Sequence, residues 1–147
     1  TMGDDLVVTN GDQTDTIVEQ GDFIKGCMLR EFEPDDPNFT PRISAIVRAD
    51  GSFGLSILKR QDESGRCLRE FFFYEGANEG VGYFLSTYDG DGNPLPTFTG
   101  EPIEVKLPTP DEVWDALNED NKISLFVRYT DLETRDTEEI IINKHER

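Results

Sequence analysis

The amino-acid sequence predicts an α+β fold, in which mainly antiparallel strands pack with few helices. Apolar and polar residues alternate with a period of two after residue 42, and Asp50-Gly51 is typical of the turn of a hairpin. Helix start signals are confined to short segments near residues 15, 22 and 110. The length of 147 residues suits one domain, and a chain of that size can bury about 68–70% of its unfolded surface. We therefore predict a single domain over residues 1–147.

The first elements follow from apolar runs and turn residues. Leu6–Thr9 is expected to form a short buried strand that ends at the turn dipeptide Asn10-Gly11. Asp15 or Thr16 then caps a helical turn. A second helix is expected after Asp22, because the apolar residues that follow are spaced for one helical face: Phe23, Ile24, Cys27 and Met28.

Prolines at positions 34, 37 and 41 exclude a helix from the acidic segment that follows, so we predict an irregular loop there. Alternating residues then predict paired strands at 43–47 and 53–57, followed by strands at 67–74 and 81–88. Residues 94–102 should be a loop, and residues 111–117 a short helix with Trp114 facing inward. A last strand pair is expected at 122–129 and 138–142.

The charge of the chain restricts its partners. Its 31 acidic and 14 basic residues give a net charge of −17, which repels nucleic acid and anionic membranes. No apolar run approaches the roughly 18 residues of a membrane span, and the first residues do not resemble a signal segment. We expect a cytoplasmic protein with no nucleic-acid or membrane partner. Any partner recognised through phosphate must be a small molecule that meets a local cluster of positive groups.

No metal site or cofactor is expected. Cys27 and Cys67 lie far apart and in no ligand spacing, which favours free thiols, and the only histidine is in the terminal stretch that contains Lys144. A histidine-based triad and a histidine-rich zinc site are therefore excluded. Residues 89–93 imitate the opening of a calcium loop, but the positions that require Gly and Glu hold Pro94 and Gly100.

Three motifs remain: the string from Asn10 to Ile17 (NGDQTDTI), the string from Asn38 to Ile43 (NFTPRI) and residues 91–96 (DGNPLP). In this order they resemble the IMP cyclohydrolase family. The resemblance implies dehydrative ring closure of 5-formamidoimidazole-4-carboxamide ribonucleotide to IMP in purine biosynthesis. It also implies part of the four-layer architecture of N-terminal-nucleophile hydrolases. Members of the family have a substantial part ahead of the first strand predicted here, so we expect an N-terminal part to be lacking. Such a chain should expose apolar strands, which favours association with further copies of itself.

The first motif has two interpretations. Its residues are typical of a strand-to-helix turn, with Asn10-Gly11 at the corner and Asp15 near the cap. The resemblance instead implies a polar cradle at a helix N-terminus, where backbone N–H groups and Thr14 hold a phosphate or ribose. The predicted substrate-binding residues of this motif are Asn10, Gly11, Thr14 and Asp15.

The acidic loop also has two interpretations. A run of charges is usually a solvated face, but this one is restrained by prolines and alternates with phenylalanines. Crowded, partly buried carboxylates raise one another's pKa, which suits proton transfer near neutral pH. We predict Glu33 and Asp35 as catalytic residues and Asn38, Thr40 and Arg42 as substrate-binding residues. Arg42 would bind the phosphate or the oxyanion, or would be a structural partner of the acidic loop.

Two other functional classes remain open. One is a relative that binds purine nucleotides without turnover, and the other is an interaction module whose acidic loop binds a basic partner. Nucleotide affinity separates the first from the second, and sensitivity of binding to moderate salt favours the second.

Overall fold

An antiparallel four-stranded sheet forms the centre of the first of two compact units. The computed structural model describes residues 1–145, and its units are Thr1–Val105 and Lys106–Arg147. The strands are β1 (Leu6–Thr9), β2 (Arg42–Val47), β3 (Phe53–Arg60) and β4 (Cys67–Tyr74), paired in that order. A separate two-stranded sheet pairs β5 (Val81–Phe84) with β6 (Ile103–Lys106).

Two short helices, α1 (Gln13–Gln20) and α2 (Phe23–Met28), follow β1. The first begins earlier than predicted: its N-cap is Asp12, not Asp15 or Thr16. The Asp12 side chain makes no capping bond, because its carboxylate is paired with arginines instead. The second helix begins as predicted, with the Asp22 carboxylate accepting the Lys25 N–H at 2.9 Å. The glycine between the helices, Gly21, has a φ of 62°, which L side chains rarely adopt.

The core of this unit lies between the two helices and one face of the sheet. Ile17 of α1, Phe23 and Cys27 of α2, and Ile46 and Leu58 of the sheet are all at most 3% exposed. Ile24 and Met28, which were predicted on the same face of α2, are about half exposed. The apolar face of α2 is therefore narrower than predicted.

The alternation in β2 and β3 correctly predicts strands, but the apolar residues of that alternation lie mostly on the other face of the sheet. The helix-covered face contains Ser44, Ile46 and Ser56. The opposite face contains Val8, Ala45 and Leu55. Val8 is paired with Ala45 across β1 and β2, and Ala45 is paired with Leu55 across β2 and β3. Val8 is 48% exposed. Some apolar residues on the face that lacks helices, Val8 among them, are thus exposed, whereas Ile57 on the same face is buried.

The second unit contains α3 (Pro110–Ala116) and the antiparallel pair β7 (Ser124–Thr130) and β8 (Thr137–Asn143). Thr109 and Glu112 form a reciprocal capping box at the start of α3. Trp114 is buried as predicted, at 5% exposed, with the Lys122 ammonium 4.6 Å from its ring centroid.

The prediction of an α+β fold with mainly antiparallel strands and few helices is confirmed. The strand predicted at 81–88 ends at residue 84, and β6 was not predicted. The four-layer architecture and the single-domain organisation stay predictions. Among residues 1–145, no helix is long and apolar enough to cross a membrane.

Candidate functional site

A buried arginine joins the first motif to the acidic loop. Arg42, the first residue of β2, is 7% exposed. Its Nη1 donates to Asp12 Oδ1 at 2.8 Å, to Glu33 Oε1 at 3.1 Å and to Gln13 Oε1 at 3.2 Å. Its Nε donates to the carbonyl oxygen of Glu31 at 2.8 Å. One guanidinium therefore holds acceptors that lie up to thirty residues away in sequence.

Gln13 helps to hold this arginine in position by accepting a hydrogen bond from it. It is fully buried, and its Nε2 donates to Asn10 Oδ1 at 3.0 Å and to the Ile43 carbonyl at 3.2 Å. Asn10 in turn accepts the Ile43 N–H at 3.0 Å and donates to the Pro41 carbonyl at 3.0 Å. These bonds attach the turn after β1 to the start of β2. Sequence reasoning missed Gln13, and its position three residues after an Asn-Gly turn gave no specific signal.

Gly11 is required by the close packing of this cluster. A Cβ atom on Gly11 would lie 2.8 Å from Gln13 Oε1, 3.0 Å from Arg42 Nη1 and 3.3 Å from Glu33 Oε1. Since these contacts are shorter than ordinary van der Waals distance, a larger residue must shift the Gln13 side chain and crowd the ion pair. The glycine of the first motif therefore allows the close approach of these three side chains.

Glu33 is the second carboxylate that Arg42 holds in this cluster. Its side chain is 35% exposed, and one oxygen is paired with Arg42 at 3.1 Å. Its second oxygen has no hydrogen-bond partner among the residues that the structure describes. An oriented carboxylate with a free oxygen at the surface can exchange a proton with a bound molecule.

The second motif closes the acidic loop and contacts the third motif. Asp35 accepts the Thr40 N–H at 2.6 Å and also the Thr40 hydroxyl. That hydroxyl is also hydrogen-bonded to the phenol of Tyr88. Asn38 Oδ1 accepts the Leu95 N–H at 3.0 Å. The third motif therefore lies against the acidic loop.

Two carboxylates of the site have lowered pKa values. The hydrogen bond from Arg30, with the charges of Arg30 and Arg42, holds the pKa of Asp12 below its ordinary value. Partial burial acts to raise the pKa of Asp35, but the hydrogen bonds from Thr40 outweigh it, so the pKa is lowered. For Asp35 the direction is opposite to the rise predicted from crowded carboxylates. This carboxylate is ionised near neutral pH, which suits loop closure better than proton donation.

The first motif does not present an open cradle at the helix N-terminus. The Thr14 hydroxyl is hydrogen-bonded to Thr9 at 2.5 Å and lies 3.1 Å from the Gly11 carbonyl. The Asp12 carboxylate lies at the N-cap, where it disfavours a phosphate. Asp15 is exposed in the first turn of α1. A phosphate-binding role for these residues stays a prediction.

A mostly apolar cleft of about 270 Å³ opens beside Asn10 on the helix-free face of the sheet. It is lined by residues of β1 to β3 and by the β5 region: Val8, Thr9, Asn10, Ile43, Ser44, Ala45, Leu55, Tyr83 and Leu85. Clefts with apolar walls and a few polar groups at one end are typical of small-molecule sites. The turn at Asn10 and Gly11 thus lies between this cleft and the Glu33–Arg42 pair.

The structure brings Gly11, Glu33 and Arg42 together, and it places Asp35, Asn38 and Thr40 along the adjoining loop contact. Three further residues belong to the site but were not predicted: Asp12, Gln13 and Tyr88. Among residues 1–145, no group of three or more Asp, Glu, His or Cys side chains is arranged to hold a metal ion.

Fold and site together define a small α+β protein with a carboxylate–guanidinium site on the loops at one end of an antiparallel sheet. The model of the family described as IMP cyclohydrolase-like protein matches residues 1–136. The chain therefore belongs to the IMP cyclohydrolase-like family, which confirms the resemblance noted in its motifs. No curated protein and no solved structure matches the chain.

Proposed function

We propose that this protein is an IMP cyclohydrolase, which closes 5-formamidoimidazole-4-carboxamide ribonucleotide to IMP with loss of water. The observation that supports this most is that the first two family-like motifs meet at the Glu33–Arg42 pair, while the third motif contacts the second through Leu95 and Asn38. Family membership supports a related function. The reaction would belong to purine biosynthesis in the cytoplasm.

The proposed chemistry uses groups that this site contains. The carboxamide nitrogen attacks the formyl carbon, which forms a carbon–nitrogen bond and moves a proton from nitrogen to the former carbonyl oxygen. The carbon–oxygen bond then breaks as water leaves, and a second proton is lost from nitrogen. Because both reacting groups belong to one molecule, the protein has only to orient them and transfer protons. We assign that proton transfer to Glu33, through the oxygen that Arg42 does not hold.

Arg42, Gln13 and Asn10 act in this proposal as positioning residues. Their hydrogen bonds to one another fix Glu33 and the turn that borders the apolar cleft. The cleft offers space for the flat imidazole ring of the substrate. Direct contacts of Asn38, Thr40 and Asp35 with substrate remain part of the proposal.

The test is absorbance-monitored cyclisation of the formamido ribonucleotide by the wild-type chain and by Glu33→Gln. General acid–base catalysis contributes about 10²–10⁴-fold, so we expect Glu33→Gln to lower kcat by about that factor. This corresponds to an activation barrier that is higher by about 2.7–5.5 kcal/mol. Glu31→Gln is the matched control, because its side chain lies in the same loop and only its carbonyl oxygen contacts Arg42. Equal turnover by Glu33→Gln and the wild type would show that Glu33 has no such role.

A specific observation favours a second candidate, a relative that binds purine nucleotides without turnover. Arg42, Asn10 and Thr14, all predicted to bind substrate, are engaged in bonds within the chain. IMP binding by calorimetry together with no cyclisation by the wild type would support this candidate over the enzyme.

A further inference from the structure

A second cleft lies at the contact between the acidic loop and the third motif. It has a volume of about 190 Å³, several times the roughly 30 Å³ that one water molecule occupies in the liquid. Its lining includes Asn38, Phe39, Arg60, Leu95 and Thr97, together with the acidic residues Asp62 and Glu63. None of these except Asn38 was predicted to bind substrate, and the cleft does not include the Glu33–Arg42 pair.

Arg60, the last residue of β3, is the charged group of this cleft with unused hydrogen-bonding capacity. Its guanidinium carbon lies 4.2 Å from the centroid of the Phe39 ring. Its Nη2 donates to the Glu63 carbonyl at 3.3 Å, and the Glu63 carboxylate, 3.8 Å away, is fully exposed. Its Nε is buried and has no hydrogen-bond partner among the described residues. The Arg60 side chain is 25% exposed, so an anionic acceptor in the cleft can bind the accessible part of its guanidinium.

The residue beneath this guanidinium is held in an unusual conformation. Phe39 has a φ of 46°, which is uncommon for a bulky residue. Its ring also packs edge-on against Phe32, with centroids 5.8 Å apart. Such a conformation persists only where the surrounding contacts enforce it. Here those contacts orient the ring under Arg60 and thereby fix the arginine at the mouth of the cleft.

Most other cations near this end of the sheet are engaged elsewhere. Arg66 is largely exposed, lies 3.8 Å from the Asp62 carboxylate and donates to the Ser64 hydroxyl. Arg42 and Arg30 bind the Asp12 carboxylate, and Arg69 donates twice to the Arg30 carbonyl. Lys59 is 7% exposed and donates to the Phe98 carbonyl at 2.7 Å. In a chain of net charge −17, a phosphate requires a local cation. Arg60 meets that requirement in the part of the chain that the structure describes.

The geometry points to Arg60, assisted by the side-chain amide of Asn38, as the group that binds the 5′-phosphate of the substrate nucleotide. This inference rests on the proposed function, whose substrate and product carry that phosphate. Arg42 pairs with Leu58 across β2 and β3. Arg60 is two residues further along β3, which corresponds to about 7 Å. The phosphate would therefore lie beyond the Glu33–Arg42 pair, where it displaces Glu63 from the guanidinium.

The experiment measures calorimetric affinities for IMP and for inosine, which lacks the phosphate, with the wild type, Arg60→Ala and Arg60→Lys. We expect the wild type to prefer IMP and Arg60→Ala to bind IMP about 10- to 100-fold more weakly, with unchanged inosine affinity. Arg60→Lys should recover part of the loss, because it keeps the charge but not the planar fork. Arg48→Ala is the control: it removes the same charge from the turn after β2, outside the lining of this cleft.

Unchanged inosine affinity also shows that Arg60→Ala is folded. A full IMP-over-inosine preference in that variant overturns the inference and leaves the proposed function intact. Equal wild-type affinities for IMP and inosine overturn it as well. No wild-type binding of either compound, with no turnover, overturns the proposed function together with the inference.

Discussion

Replacing Arg42 by Met tests whether the arginine that joins the first motif to the acidic loop stabilises the first unit. Met keeps much of the aliphatic length of the side chain and removes every hydrogen bond of the guanidinium. The bonds lost are those to Asp12, Gln13, Glu33 and the Glu31 carbonyl. The consequence depends on which of these acceptors water can reach.

The acceptors fall into two groups. Side chains of Asp12 and Glu33 are 70% and 35% exposed, so their carboxylates rehydrate when the arginine is removed. Gln13 is fully buried, and its Oε1 loses its hydrogen bond from Arg42. An unsatisfied buried acceptor costs about 1–3 kcal/mol. With the loss of the bond to the Glu31 carbonyl, we expect Arg42→Met to lower the free energy of unfolding by about 2–4 kcal/mol.

The measurement is urea denaturation followed by far-UV circular dichroism at neutral pH. Arg48→Met is the matched control, because Arg48 is exposed and follows the end of β2. Gln13→Leu should cost less stability in the Arg42→Met background than in the wild type, since the bond between the two side chains is already absent there. An Arg42→Met variant as stable as Arg48→Met would refute the reasoning that the buried guanidinium supports this unit.

Two further predictions concern the helix pair and the acidic loop. Gly26→Ala should destabilise the protein by about 1–3 kcal/mol, despite the higher helix propensity of Ala, because its Cβ would lie 2.5 Å from Ile17 Cα. Gly76→Ala, with nothing within 4 Å of its Cβ, is the control; equal thermal midpoints for the two variants would contradict the steric argument. Because the folded-state pKa of Asp35 is lowered, its contribution to stability is complete above the unfolded pKa of about 3.9 and is lost as pH falls through the folded pKa. An NMR titration of the Thr40 amide should show a midpoint below that value, and a midpoint at or above it would disprove the assignment.

Local patterns predicted most of the elements. The prolines correctly predicted that the acidic loop contains no helix. The period-two runs located β2, β3 and β4, and Asp22 caps α2 as expected. These features depend on neighbouring residues, and sequence shows them directly. The early start of α1 was missed because the Asp12 carboxylate binds Arg30 and Arg42 and makes no capping bond.

The site was predicted in part. Glu33 and Arg42 were selected from the acidic loop, and the structure pairs them at 3.1 Å. Gln13 was not selected, because its importance comes from bonds to Ile43 and Arg42, about thirty residues away. Arg60 was missed for the same reason: its relation to Phe39 exists only when β3 lies beside the loop that precedes β2.

The sequence by itself determined the α+β class, the acidic surface and the three motifs, since composition, periodicity and turn chemistry are local properties of the chain. Only the tertiary structure decided which face of the sheet the helices cover and which polar groups form hydrogen bonds within the chain. Strand alternation defines two faces without saying which one is buried, because that depends on where α1 and α2 pack. Likewise, the sequence does not show which hydrogen bonds an arginine such as Arg42 makes, because its acceptors come from distant segments that only the fold brings together.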